Sequence, residues 1–248
     1  RAEAVAMQIE DLQFFWETSE PTNAMFRITV PLIASLLGIG LKGTLILQFL
    51  TGILIFLLVG SLVERETGNR LIAFYATLLV ALIYPGTAAF LESRYYFDSF
   101  AYLFLLAALW FRSPVSIGFL VLLAGFTDER ALIASGFVFL WWTIKEGGDY
   151  SRFKSFFNKR SLAVVIALFV YVGIRIFLQQ YYGVQTFTED RSEFFLFDQI
   201  NNSISGIWSG LEAGWLLVSL AIIAMIIKKR WLALSVFVIV IVTQIIAA

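Results

Sequence analysis

Three stretches of this chain run without a single charge: Gly43 to Val63, Leu71 to Leu91 and Trp231 to Ala248. Each approaches or exceeds the ~18–20 residues that cross ~30 Å of hydrocarbon as a helix. The composition makes the same point, since 60% of the 248 residues are hydrophobic and 15% charged. Mean hydropathy is +0.84, and soluble domains hold only roughly 45–50% apolar residues. Membrane strands alternate at period two, whereas these runs are long and too uniformly apolar to show that alternation. A helix satisfies its own backbone in lipid. The sequence therefore predicts an all-α, polytopic transmembrane helical bundle whose first partner is the lipid bilayer.

The chain has no Cys and no His, so disulfides, thiolate nucleophiles, imidazole bases, zinc sites and haem ligation are not expected. Chemistry is left to carboxylates, Arg, Lys, Tyr and hydroxyls. With 18 Lys+Arg against 18 Asp+Glu, no nucleic-acid footprint is indicated.

Spanning or part-spanning helices are predicted at about 44 to 63, 70 to 91, 97 to 111, 114 to 126, 130 to 145, 161 to 181, 207 to 227 and 231 to 248. Alternate connections carry the basic residues: Arg65 and Arg70, then Arg112, then Arg152, Lys154, Lys159 and Arg160, then Lys228 to Arg230. These are cytoplasmic by the positive-inside rule. The other connections are acid-rich and fall outside: the first 30 residues, 92 to 97, Thr127-Asp128-Glu129 and the loop 182 to 206. The expected layout is one transmembrane domain, with residues 1 to 40 an outer loop holding interfacial helices and 41 to 248 forming about eight spans. An outside N-terminus implies a preceding membrane helix, so the chain reads as a fragment of a longer protein, lacking that helix and further C-terminal sequence. The expected compartment is the bacterial inner (plasma) membrane.

Three consecutive segments, Ser99 to Phe111, Ser113 to Thr127 and Ala131 to Ile144, are bounded by charge and reach only ~20 Å at 1.5 Å per residue. Their outer ends would lie below the membrane surface, and Asp98, Asp128, Glu129 and Arg130 sit at those ends. Ionisable groups at such depth face a cavity or a partner. The plainer account is capping: Thr127 or Asp128 as N-cap of the next helix, with Glu129 in its first turn. Arg175 lies in the outer part of the 161 to 181 span, either snorkelling to the interface or holding an anion through its planar fork. In Met7 to Trp16, Ile9, Leu12, Phe15 and Trp16 recur at helical spacing opposite Glu10, Asp11 and Glu17, the pattern of an amphipathic helix on the outer face. Among the aromatics, Tyr84, Tyr95, Tyr96, Trp141, Trp142, Trp208 and Trp231 fall near predicted interfaces.

Three motifs, Met25-Phe26-Arg27-Ile28-Thr29-Val30-Pro31-Leu32-Ile33-Ala34, Phe97-Asp98-Ser99-Phe100-Ala101-Tyr102-Leu103 and Gly125-Phe126-Thr127-Asp128-Glu129-Arg130-Ala131-Leu132, resemble in order and spacing those of bacterial membrane glycosyltransferases of the GT-C type. The resemblance covers roughly residues 8 to 248. The third motif departs from the pattern, which usually has a basic residue before Glu, whereas here Asp128 precedes Glu129 and Arg130 follows it. The resemblance implies an acidic catalytic residue in the first outer loop, which is Asp11 or Glu10. It implies transfer of a sugar from a polyprenyl-phosphate lipid to an acceptor on the outer face. Arg27, Arg130 and Arg175 would then contact phosphate, and Asp98, Asp128 and Glu129 would hold the acceptor or a divalent metal such as Mg or Mn, which some members use.

Two other readings fit the same residues. A non-catalytic subunit of a larger membrane complex would keep the scaffold and pair its carboxylates with Arg27, Arg94 or Arg130 in a closed core. A transporter would use the break at Thr127 to Arg130 as its substrate site, although no inverted repeat is visible.

Overall fold

The computed structural model describes residues 2–12, 15, 26–93, 95–146, 158–182, 214–227, 231, 234–235 and 237–239. These residues form helices and their connections, with no strand among them. In chain order the helices are α1 (Ala2–Glu10), α2 (Thr29–Leu36), α3 (Leu41–Thr67), α4 (Arg70–Ala81), α5 (Tyr84–Leu91), α6 (Asp98–Trp110), α7 (Pro114–Gly125), α8 (Arg130–Glu146), α9 (Lys159–Tyr182) and α10 (Gly214–Ile227). The predicted 182 to 206 loop beyond Tyr182, Trp16, Glu17, Arg94, Trp208 and the basic run Lys228 to Arg230 lie outside the described residues, and the last predicted span is described only in part.

Local chemistry sets most boundaries. Gly68 adopts φ +67 at the end of α3, the left-handed cap that costs glycine little. Asn69 then accepts hydrogen bonds from the backbone N–H of Leu71 and Ile72 and starts α4. Ser113 caps α7 and Pro114 follows it, where a missing N–H costs nothing. The predicted helix 70 to 91 is in fact two. Leu82 and Ile83 interrupt it, and Pro85 sits in the first turn of α5, because proline inside one continuous helix would remove an N–H and clash with the preceding turn.

At 1.5 Å per residue α3 reaches about 40 Å and α9 about 36 Å. Both are long and apolar enough to cross a membrane, with mean hydropathies of 2.5 and 2.4. Only 33% of each apolar window is buried, whereas the core helix of a soluble protein is buried for most of its length. The uncovered stripes are large and apolar, with Ile46, Leu50 and Leu57 on α3 and Ile166, Phe169 and Phe177 on α9. The helices α6, α7 and α8 are shorter, and they form the centre.

Helix α6 packs against α3, α5, α7 and α8, and α7 fills the space between α6 and α9. Their contact is made by small and branched residues, Ala108, Ile117, Val121, Val138, Val164 and Ala167, gathered around Trp142. Small residues allow helix axes to approach closely where lipid offers no hydrophobic drive. Gly52 shows how closely: a Cβ there would meet Ala89 Cβ at 2.7 Å and the Phe90 ring at 2.5 Å, across the α3–α5 contact. Trp142 was expected at an interface but is fully buried, and its indole N–H donates to the Ala108 carbonyl at 3.0 Å. That bond is what permits a buried indole.

The connections segregate to two ends of the bundle. At one end Arg65 donates to the carbonyls of Leu109 and Trp110, Lys145 pairs with Glu66, Arg160 pairs with Glu146 and also donates to the Arg112 carbonyl. Arg65 and Arg160 lie over the rings of Trp110 and Trp142. Arg65 here meets the carbonyl end of α6, as the helix dipole favours. Of the residues predicted to share the basic side, Arg65, Arg112 and Arg160 lie at one end of the bundle, whereas Arg152, Lys154 and Lys228 to Arg230 are outside the described residues. The opposite end gathers Arg27, Asp98 and Asp128 to Arg130.

Replacing Trp142 by Ala should leave a cavity and an unpaired carbonyl. The expected loss is about 3–5 kcal/mol, seen as a lowered unfolding midpoint in detergent. Gly52→Leu should cost about 1–3 kcal/mol by forcing α5 away from α3, with Leu54→Ala, on the exposed stripe, as the near-neutral control.

Candidate functional site

The site is built where α7 ends and α8 begins. Thr127 closes α7 by donating its hydroxyl to the Leu123 carbonyl at 2.7 Å. Asp128 opens α8: its Oδ1 accepts the backbone N–H of Arg130 at 3.0 Å. Of the two predicted caps, Asp128 thus starts the helix and Thr127 finishes the one before. Thr29, at the start of α2, donates its N–H to the Phe126 carbonyl and its hydroxyl to the Leu123 carbonyl. Those two bonds fix the Phe26–Arg27 segment beside the turn.

Five ionisable side chains from three parts of the chain meet there. Arg27 grips Glu129 through two bonds, Nε to Oε2 at 3.3 Å and Nη2 to Oε1 at 3.2 Å, and reaches Asp128 Oδ1 at 3.5 Å. Arg130 donates Nε to both oxygens of Asp128, at 3.1 and 3.0 Å. Its Nη2 is shared between Asp128 Oδ2 and Asp98 Oδ2, the latter at 3.3 Å. Asp98 comes from the first turn of α6, where a carboxylate is favoured by the helix dipole. The residue before it, Phe97, has φ +60, a left-handed conformation that costs a non-glycine residue of order 1–3 kcal/mol and that aims Asp98 into the cluster.

Burial and charge act against each other here. Burial pushes the Asp128 carboxyl up, but the hydrogen bonds from Arg130 and the charges of Arg130 and Arg27 outweigh it and hold Asp128 below the usual carboxylate range. For Arg27, burial disfavours the cation, yet Asp128 and Glu129 raise its pKa above the ordinary guanidinium value.

Arg175 stands beside this cluster. Its guanidinium lies 4.4 Å from the centre of the Phe26 ring and donates to the Tyr171 hydroxyl at 3.3 Å. Among the described residues it pairs with no carboxylate. Tyr171 packs on Phe126 at 4.6 Å, which sets it level with the α7–α8 turn. From Tyr171 to the end of α9 at Tyr182 the helix rises about 16 Å further. Phe15, Phe26, Leu178 and Met7 pack around that extension. The ion cluster is therefore recessed below the end of α9, with α1 and Phe26 as neighbouring wall.

Six of the eight predicted site residues come together in this way: Arg27, Asp98, Asp128, Glu129, Arg130 and Arg175. The other two, Glu10 and Asp11, are exposed at the end of α1, one turn from Met7, and the ion pairs of the cluster do not include them. The expected stripe Ile9 and Phe15 is buried, but α1 packs on α2 and α3, so its apolar face meets protein. Two features were not anticipated, Tyr171 and the Thr29 clamp. The spacing Tyr171-x-x-x-Arg175 was legible as one helix face; the Thr29 contact had no sequence signal. No group of three acidic, Cys or His residues suited to a metal occurs among the described residues.

The chain matches no family model, no curated protein and no solved structure.

Arg130→Met should remove the shared donor of Asp98 and Asp128 and destabilise the fold by about 1.5–3 kcal/mol. The pH dependence has a definite sign. A depressed Asp128 contributes stability that is present above its unfolded value of ~3.9 and is lost as pH falls through its lower folded value. Asp128→Asn should therefore lower the unfolding midpoint at pH 7 and remove the acid step from a midpoint-versus-pH curve.

Proposed function

We propose that this chain is an integral-membrane protein of the GT-C glycosyltransferase type, acting on a polyprenyl-phosphate-linked sugar at the extracytoplasmic face of a bacterial inner membrane. One observation carries the reading: the Arg27, Asp98 and Asp128-Glu129-Arg130 motifs, far apart in sequence, converge on one recessed end of an apolar helical bundle. The two long, mostly uncovered helices support the membrane location, and the basic residues at the opposite end support its placement toward the cytoplasm.

In this reading Arg175 is the anion contact, since its fork is held by a ring and a hydroxyl, and such a guanidinium is suited to phosphate. Arg27 and Arg130 lend positive potential from within their ion pairs. Asp11 or Glu10, exposed at the end of α1, is the base that takes the acceptor's proton. A second reading, a non-catalytic subunit of a larger membrane complex, is favoured by the pairing of Asp98, Asp128 and Glu129 with Arg27 and Arg130, since engaged carboxylates are poor ligands for anything else.

Purification from native membranes followed by mass spectrometry of bound lipids and proteins separates the two. The glycosyltransferase reading predicts a co-purifying polyprenyl phosphate, reduced about tenfold or more in Arg175→Ala, the equivalent of a charged hydrogen bond. A stoichiometric protein partner with no polyprenyl lipid would replace it by the subunit reading.

A further inference from the structure

The charge count of the cluster is uneven. Three carboxylates, Asp98, Asp128 and Glu129, face two guanidinium groups, Arg27 and Arg130, in direct ion pairs, while the third guanidinium, Arg175, keeps its charge beside them on Tyr171 and Phe26 and pairs with no carboxylate among the described residues. Fully ionised, these five side chains carry one surplus negative charge. Its location follows from the bonds. Glu129 has a bidentate partner, and Asp128 has Arg130 on both oxygens, the Arg130 N–H and the edge of Arg27. Asp98 receives a single hydrogen bond, at 3.3 Å, from a nitrogen already shared with Asp128, and its carboxyl also lies against that of Asp128.

A second observation is independent of the charge count. The other oxygen of Asp98, Oδ1, is sealed from solvent and has no hydrogen-bond partner, on a residue only 9% exposed. An ionised carboxylate oxygen left in that state costs several kcal/mol, and groups so placed take up a proton instead. Among the described residues no further cation pairs with Asp98. The charged groups facing Asp98 are Arg130 and Asp128 from the α7–α8 turn and Arg27 from the segment before α2. At this end the other helices packed on α6 carry Lys42, at the exposed start of α3, and Glu92, just after α5. Tyr102 lies one turn along α6 itself. Access is through Arg130, whose side chain is 37% exposed.

We propose that Asp98 is a proton-binding site: its unpartnered Oδ1 takes a proton from water, the carboxylate becomes a carboxylic acid, and the surplus charge of the cluster is removed. Asp128 stays ionised, so two neighbouring carboxylates hold opposite protonation states, set by how many donors each receives. With Asp98 neutral, Arg130 belongs to Asp128 alone. With Asp98 ionised, one guanidinium is divided between two anions and the link between α6 and the α7–α8 turn is strained by repulsion. The pH of the compartment facing this end thereby tunes the recessed site. The inference does not depend on glycosyl transfer.

The test is infrared spectroscopy of the full chain in detergent across pH, following the C=O band of protonated carboxyl groups. The wild-type protein should keep such a band well above the ~4 at which ordinary carboxyls titrate. Asp98→Asn should lose it, whereas Asp98→Glu and the exposed-site control Glu3→Gln should retain it. In parallel the sign of the stability linkage is opposite to that of Asp128: a carboxyl that is protonated in the folded protein and ionised in the unfolded chain gains stability as pH falls. Wild-type protein should therefore unfold at a lower temperature at pH 8 than at pH 5, and Asp98→Asn should be flat over that range. A wild-type spectrum with no such band above pH 5 overturns the proposal even if Asp98→Asn fails to fold. So does a band that survives in Asp98→Asn.

Discussion

The sharing of Arg130 between Asp98 and Asp128 is the contact on which the site end of this bundle depends. Asp98 belongs to α6, which packs against α3, α5, α7 and α8, and Asp128 to the turn that joins α7 to α8. One side chain thus ties the central helix to the place where the chain reverses. Arg27 repeats the device for the segment leading into α2, through Glu129 and Asp128. Ion pairs within an apolar bundle are individually costly to desolvate, but once made they fix register and orientation in a way that interchangeable apolar contacts cannot. Helices covered in Leu, Ile and Phe could slide past one another; these carboxylates and guanidinium groups leave one arrangement.

The opposite end uses different chemistry for the same purpose. There cations cap helix carbonyls and lie over indole rings, and the acids Glu66 and Glu146 serve mainly to hold Lys145 and Arg160 in place. The asymmetry between a carbonyl-capping basic end and a recessed mixed-charge end gives the bundle a direction. It is the structural counterpart of the charge alternation in the sequence, and the reason the site lies at one end only.

Much of this was legible in the sequence, and what escaped has physical reasons. Helices α6, α7 and α8 were bounded within a residue or so, because Asp98, Ser113-Pro114 and Asp128 mark their starts with caps or proline. The split between α4 and α5 was missed because an apolar count cannot see that Pro85 breaks a run that is otherwise uniform. Trp142 was assigned to an interface from its position near a predicted helix end, and only the Ala108 carbonyl reveals why its N–H can be buried. The convergence of Asp98 and Asp128 to Arg130 was anticipated from helix length and charge position, and Arg27 was drawn in only by the motif resemblance and by the subunit reading. Their pairing with each other was anticipated only as the alternative to a catalytic role. Phe97 in a left-handed conformation and the Thr29 clamp depend on tertiary contacts that no local pattern encodes.

The central claim is that the two ends of the bundle lie on opposite sides of a membrane, with the recessed cluster facing outward. The chain contains no cysteine, so a single introduced thiol reports without background. Glu3→Cys marks the exposed start of α1 and Ser113→Cys the exposed connection before α7 at the other end. In intact cells a membrane-impermeant thiol reagent should label the first and not the second, which should react only after permeabilisation. Equal labelling of both in intact cells, or labelling of Ser113→Cys alone, would contradict the account.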